Sequence, residues 1–324
     1  MIGLILRRLS GAFAVMLTVT AIAFVMFNYL GDPVVGILGL DASGEQRAAV
    51  ERQLGLDRPM LVRFGDYLGR VVQGDFGQSY RLGSPVGDAL VQRLPATVEL
   101  AATGMMVALI VGIPAGVYVA IRRGGGAART LLGASLLGIS VPSFFMGVML
   151  IWVFNVTLQM LPSFGRGEVV NLGWWSTGFL TKSGLLALIL PAATIAIFQI
   201  AMIMRLVRAE MLEVLRSDHI LFARARGLPE WRILFRHALG NTLVPVITVV
   251  ALQLGSLIAF AVITESVFQW PGLGLLFLQS VAAADVPMMA AYLILIAALF
   301  VTINLIVDLL YLAIDPRLRA RSRV

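Results

Sequence analysis

Six stretches of the chain are apolar for long enough to cross a bilayer as helices: 9–30, 97–121, 131–158, 184–204, 242–264 and 288–314. Each meets the roughly 20 residues that a ~30 Å hydrocarbon core demands at a helical rise of about 1.5 Å. The first is preceded by Arg7 and Arg8, and Ala21-Ile22-Ala23 has the look of a cleavage site. The apolar run continues past it through Phe27, longer than the roughly 7–15 residues of a signal-peptide core, so it reads as an uncleaved anchor. Pro114, Pro142 and Pro191 interrupt or flank the later spans, where neighbouring helices re-satisfy the freed carbonyls. The Phe-, Met- and Trp-rich stretch 144–154 is expected to face lipid or pack helices.

Polar stretches separate these runs. Residues 32–94 form one long, nearly neutral segment with seven arginines and eight acidic residues. Turn signals punctuate it, and a short helix is expected over 44–54 with Ser43 as its N-cap. It reads as a small extracytoplasmic domain without chemistry. Six spans place both termini on one side, and arginine placement says which. Sixteen arginines border the segments assigned to the inside, whereas the two short outer loops hold only Arg166 and Lys182. Both termini are therefore expected in the cytoplasm. Glu99 and Glu265 fall near outer span ends, where water is expected to reach them.

Residues 205–242 are too polar to span. A helix is expected to continue over 207–222 and to end at Gly227, because glycine takes a left-handed cap at little cost. Pro229 suits the first turn of a second helix, whose apolar face is Trp231, Ile233, Leu234, Phe235 and Leu239. Ala223, Ala225 and Gly227 lack bulk, so a partner backbone could approach there. The residues alone allow two readings, a docking surface or a basic juxtamembrane loop held by anionic lipid.

Composition narrows the chemistry. The chain is 59% hydrophobic and 13% charged with mean hydropathy +0.91, where soluble domains are about 25% charged. The net charge of +7 borders the spans and needs no nucleic acid. With no cysteine, disulfides and thiolate sites are excluded. The only lysine, Lys182, follows Thr181, so the Gly-Lys step of a phosphate-binding loop is missing. His219 and His237 have no third ligand at metal spacing, and no G-x-S-x-G elbow occurs. If ATP drives this protein, another chain binds it.

The stretch 218–245 resembles the coupling loop, or EAA motif, of ABC-importer permeases, and more narrowly the oligopeptide/dipeptide branch. Asp218, Ala223, Arg224, Ala225, Arg226, Gly227 and Leu228 fall on its first part, and Arg236, His237, Ala238, Leu239, Asn241 and Pro245 on its second. Further blocks resemble the same family in order. They are Gly31-Asp32-Pro33, Leu54-Gly55-Leu56-Asp57-Arg58-Pro59, Gly74-Asp75-Phe76-Gly77-Gln78-Ser79, and Arg93-Leu94-Pro95-Ala96-Thr97 with Glu99-Leu100. Ser140-Val141-Pro142-Ser143-Phe144, Glu265-Ser266-Val267-Phe268 with Trp270-Pro271-Gly272-Leu273-Gly274, and Asn304, Asp308, Tyr311 with Asp315-Pro316-Arg317 complete the set. Leu221, Phe222, Pro229 and Gly240 depart from the commoner residues of the motif.

The resemblance implies an all-α polytopic protein of six transmembrane helices with the type I importer permease fold. It would comprise a first span to residue 30, an extracytoplasmic loop domain over 31–94, and a permease core over 95–324. Implied partners are a second homologous permease subunit, two ATPase subunits that bind ATP and Mg, an extracytoplasmic substrate-binding protein, and membrane lipid. The chain itself would bind no cofactor and catalyse nothing. Asp218, Ala223, Arg224, Ala225, Arg226, Gly227, Leu228 and His237 would meet an ATPase. The implied cargo is di- or oligopeptide, with nickel chelates, glutathione or sugar derivatives as alternatives within the family. On the fifth span Gln253, Ser256, Phe260 and Thr264 recur at helical spacing and are candidates to line the pathway, with Gln199, Asn155 and Asn304. Interhelical hydrogen bonding is the alternative role for these polar groups. A secondary transporter and an intramembrane enzyme are the competing classes, though no internal repeat supports the former.

Overall fold

The computed structural model describes residues 2–29, 43–46, 49, 58–122 and 124–314. Gly31-Asp32-Pro33, most of the 54–59 motif, the later part of the expected 44–54 helix and Asp315-Pro316-Arg317 lie outside them, as do the side chains of Phe260, Asp308 and Tyr311. The helix start at Ser43 is described. Its Oγ accepts from Gln46 N at 3.3 Å, while Gln46 Oε1 accepts from Ser43 N at 3.0 Å, a reciprocal capping box.

The architecture is helical. In chain order the elements are α1 (Ile2–Tyr29), α2 (Met60–Val72), α3 (Val86–Ile121), α4 (Gly126–Ser140) and α5 (Ser143–Ile151), the last continued by a π-helical turn, Trp152–Thr157. A two-stranded ribbon follows, β1 (Val170–Asn171) antiparallel to β2 (Ser176–Thr177), with Val170 opposite Thr177. Then come α6 (Lys182–Val214), α7 (Asp218–Ala225), α8 (Glu230–Arg232), a second π-helical turn Ile233–Ala238, α9 (Leu239–Val267), α10 (Leu273–Ala282) and α11 (Val286–Ile314). Five helical stretches are long and apolar enough to cross a membrane, and α4 with α5 supplies a sixth if the pair is one span.

The span expected over 131–158 is broken where Pro142 was expected to interrupt or flank it, and its halves meet at 105°. Val141, next to Pro142, is extended at φ −85° and ψ 126°. The proline ring crowds the helical conformation of the residue before it, and proline has no N–H to carry the ladder on. Pro95, Pro114, Pro191 and Pro245 instead sit inside unbroken helices. Phe144, Phe145, Val148 and Trp152 are exposed on the bent pair, as a lipid-facing stretch requires. The second span begins at Val86, a full three turns before the expected Thr97.

The central packing is α3 against α6. Gly104, Ala108, Gly112 and Gly116 recur every four residues of α3, so their small side lies on one face and lets the helices approach closely. A Cβ on Gly116 would lie 2.7 Å from Met204 O and 2.7 Å from Val207 Cβ. Next to this pair α9 packs on α6 and α11, and α1 lies along α11. α2 leans on α1 through Phe24, Phe64 and the buried Tyr67, with ring centroids 5.3 Å and 5.6 Å from Phe24. Burial pushes the Tyr67 phenol up to about 12, with Arg70 pulling the other way.

Overpacking a close helix contact costs about 1–3 kcal/mol or more. Gly116→Leu is therefore expected to lower the thermal unfolding temperature of the detergent-purified chain. Gly133→Leu, where a Cβ meets nothing within 4 Å, is expected to leave it unchanged.

Candidate functional site

The polar stretch after α6 forms a helical hairpin built onto the bundle. The continuous helix expected over 207–222 is interrupted: α6 ends at Val214 and α7 starts at Asp218. Ser217 makes the break, its Oγ donating back to Val214 O, a local bond that competes with the helical ladder. At the far end the expected cap is present. Gly227 has φ +74°, Gly227 N donates to Arg224 O at 2.9 Å and Leu228 N to Ala223 O at 3.3 Å, the pair of bonds of a Schellman motif.

The hairpin has two faces. Ile220, Ala223, Ile233 and Ala238 are buried in the same apolar cluster as Ala108, Val207 and Met211 of α3 and α6 and Leu257 of α9, with Leu228 partly buried against it. Ala223 is therefore small for internal packing and is not open to a partner. Of the expected apolar face on the second helix, Ile233 turns inward, Leu234 and Leu239 are partly buried, and Trp231 and Phe235 point outward. The outer face carries Phe222 and Trp231, 63% and 62% exposed, beside Leu221 and Phe235. The Arg226 guanidinium lies 5.8 Å from the Phe222 ring centre and that of Arg232 5.4 Å from Trp231. Arg224 pairs with Glu230 at 3.0 Å across the turn. Asp218, Ala225 and Gly227 are exposed, and a Cβ on Gly227 meets nothing within 4 Å. His237 lies partly buried in the π-helical turn, its carbonyl accepting from Asn241 Nδ2 at 2.8 Å. The same Asn241 nitrogen is 3.1 Å from His219 Nε2, which braces α7 to α9. Exposed aromatics interleaved with arginines are the composition of a protein interface centre.

The end of the bundle opposite the hairpin is held by buried polar groups. Glu99 and Glu265, expected to meet water, are 3% and 0% exposed. Glu265 accepts from Thr97 Oγ1 at 2.6 Å and from Leu275 N at 3.0 Å, while Thr97 Oγ1 accepts from Leu273 N at 2.8 Å. Trp270 Nε1 donates to Ala96 O at 2.9 Å. A side chain on Gly272 would collide with the Glu265 carboxylate. Two motif blocks far apart in the chain thus form one knot. Glu99 pairs with Arg166 at 2.6 Å and also accepts from Trp175 Nε1 and Gly178 N, tying the ribbon to α3. Ser79 Oγ, Tyr80 N and Arg81 N all donate to the buried Asp285 at the head of α11.

The pathway candidates lie on four elements: the π-helical end of α5, α6, α9 and α11. Asn155 donates to Leu161 O at 2.7 Å and closes the π-helical end of α5. Gln253 contacts Met202 Sδ, Ser256 is half-buried and Thr264 is buried. Asn304 lines a groove between α1 and α11. Gln199 stands apart: it is buried on α6, and its Oε1 has no hydrogen-bond partner among the described residues.

Comparison with known proteins decides the family. Residues 112–320 match the family described as binding-protein-dependent transport system inner membrane component, and residues 1–101 match the N-terminal family of such components. The chain belongs to this family. It is 36% identical over 339 residues to the dipeptide transport system permease protein DppB of Escherichia coli, covering 99% of this chain and all of that one. A Brucella abortus relative, likewise named for a peptide transport system permease, is 39% identical over 322 residues, covering 98% of this chain and 99% of its own. An inward-facing structure of the methionine ABC transporter MetNI shares the fold, with a TM-score of 0.53 at 20% identity over 68% of this chain and 93% of that one. This inner membrane component is accordingly a permease subunit and not an ATPase.

Two residues of the permease escaped sequence reasoning, Arg166 and Asp285. Each left a trace: Arg166 is the only arginine in the two short loops on its side of the spans, and Asp285 stands just ahead of Val286-Pro287, where an N-cap is expected. Removing one partner of a buried ion pair costs about 3–5 kcal/mol, whereas replacing both is often close to neutral. Arg166→Met is expected to destabilise the purified permease strongly, and Glu99→Leu with Arg166→Met to recover most of the loss. Thermal unfolding in detergent checks both.

Proposed function

We propose that this chain is one permease half of an ABC importer for di- or oligopeptides, driven by ATPase subunits that dock on the hairpin around 218–245. The relatives' names support the peptide cargo. The observation that carries the docking reading is the two-faced hairpin. Phe222 and Trp231 are exposed with arginines over their rings, while Ile220 and Ile233 behind them are fully buried in the span core. A partner gripping the outer face would therefore displace α3, α6 and α9 along with the hairpin.

In this reading the hairpin and both termini face the cytoplasm, as the arginine asymmetry favours. A second permease subunit completes the pathway, and an extracytoplasmic binding protein delivers cargo to the side where Glu99, Glu265 and Asp285 fasten the loops. ATP and Mg stay with the ATPases, and this chain holds no cofactor. Asp218, Arg224, Ala225, Arg226 and Gly227 supply the exposed contact; Ala223, Leu228 and His237 hold it in shape. Gln199 is the foremost candidate for the pathway, because a buried unpaired amide oxygen carries a penalty of about 1–3 kcal/mol that a purely structural role would not retain.

The test uses the complete transporter in proteoliposomes. Phe222→Ala with Trp231→Ala is expected to leave the permease folded, since both side chains are exposed, but to lose copurification of the ATPase subunits and peptide uptake. Gly227→Asp is expected to assemble yet hydrolyse ATP without uptake. Wild-type uptake in either variant would overturn the docking reading.

A further inference from the structure

One strip of α6 is left uncovered between its neighbours. Phe198, Met202, Arg205 and Ala209 stand four, three and four residues apart and so share one side of the helix. On one flank Arg205 Nε donates to Ser135 Oγ of α4 at 3.2 Å, and on the other Met202 Sδ meets Gln253 Nε2 of α9. Between these contacts Phe198 is 42% exposed, Ala209 is exposed, and Met202 and Arg205 are partly so. Arg205 lies about 34 Å along α6 from Lys182, at the hairpin end of a ~30 Å hydrocarbon core. Its guanidinium is unmatched. The ion pairs among the described residues are Arg58–Asp66, Arg166–Glu99 and Arg224–Glu230. Arg205 has only the hydrogen bond to Ser135, a neutral hydroxyl that itself donates to Leu132 O. Its Nη2 is closed to solvent and has no acceptor among the described residues. Arg166, enclosed at the other end of the bundle, is met by Glu99 at 2.6 Å, as a guanidinium kept for structure requires.

We infer that Arg205 is a site for the free carboxylate of a peptide passing along this strip, an inference that rests on reading the chain as half of a peptide importer. A planar guanidinium fork matches a carboxylate with two parallel hydrogen bonds. Ionisable groups within membrane helices face a cavity or pathway and mark what passes through it. Beside the fork the strip offers an aromatic ring, a thioether and the Gln253 amide. That set suits peptide side chains and peptide bonds, and it contains no negative charge to repel a carboxylate. A lipid phosphate is the competing anion, but an amide in the same furrow is costly against an acyl chain and at home in a wet passage. The site extends the pathway assigned to Gln199, a third of a turn around α6, toward the hairpin end.

The test uses the complete transporter in proteoliposomes and compares uptake of alanyl-alanine with that of its C-terminal amide. Arg205→Gln is expected to cut uptake of the free dipeptide on the order of tenfold and to leave uptake of the amide unchanged, with Arg205→Lys retaining part of the preference. Whatever delivers the two peptides is the same for each variant, so its own preference cancels in the ratio, and amide uptake reports correct folding. Equal loss for both peptides, or loss for neither, would overturn the inference and leave the importer reading standing. No uptake of either peptide by the wild type would overturn both. A second measurement needs no uptake. The chain has no cysteine, so Ala209→Cys places a single thiol one turn from Arg205. In the detergent-purified chain this thiol is expected to react on the order of fivefold faster with an anionic methanethiosulfonate than with a cationic one, and Arg205→Gln to erase the difference. Equal rates without that substitution would overturn the anion site. Protection of the thiol by phosphatidylglycerol and not by alanyl-alanine would overturn the peptide assignment in favour of a lipid headgroup.

Discussion

The hairpin over 218–245 depends for its position on how it is seated against the spans. Ile220, Ala223, Ile233 and Ala238 are buried in a cluster that also holds Met105, Val117 and Val207. Fully burying an isoleucine such as Ile220 or Ile233 contributes roughly 1.5–3 kcal/mol, and protein interiors are packed too densely to yield without moving their neighbours. The hairpin is therefore an extension of the span core rather than a loop tied to it. Its own turn is tied as well: the Schellman cap at Gly227 closes it locally, and Asn241 reaches His219 from the second arm.

The opposite end of the molecule is held by different physics. Glu99, Glu265 and Asp285 are buried, and a carboxylate removed from water is strongly penalised unless each oxygen is matched by donors. All three receive several: Arg166, Trp175 and Gly178 at Glu99, Thr97 and Leu275 at Glu265, Ser79 and two backbone amides at Asp285. Such networks add little net stability over an apolar core, but they tolerate only one arrangement of partners. They set the positions of these loops relative to α3, α9 and α11. Apolar packing thus governs the end that carries the hairpin, and directional bonding the opposite end.

Much of this was legible in the chain itself. The spans follow from unbroken apolar length, since a bilayer admits only helices or closed barrels and each must be long enough. The Gly227 cap was legible because a left-handed residue in a helix-ending context selects glycine locally. The order of motif blocks identified the family's fold. Less was legible where a residue serves two competing local preferences. Val141-Pro142 bends its span by 105°, while Pro114 and Pro191 leave theirs continuous, and nothing in the tripeptides around them separates these outcomes.

The sequence by itself determined the number of apolar stretches, the sign of charge at their ends, the two-helix hairpin and the absence of a Gly-Lys step. These are local or additive properties, set by run length, residue type and spacing. Only the tertiary structure decided which side of each residue is inside. Ala223 turned out to pack inward while Phe222 beside it points out, and Glu99 and Glu265 turned out to be buried partners rather than exposed span ends. Those assignments rest on contacts between segments such as Thr97 and Glu265 or Ser79 and Asp285, which no local pattern encodes because the pairing geometry exists only once the helices have packed.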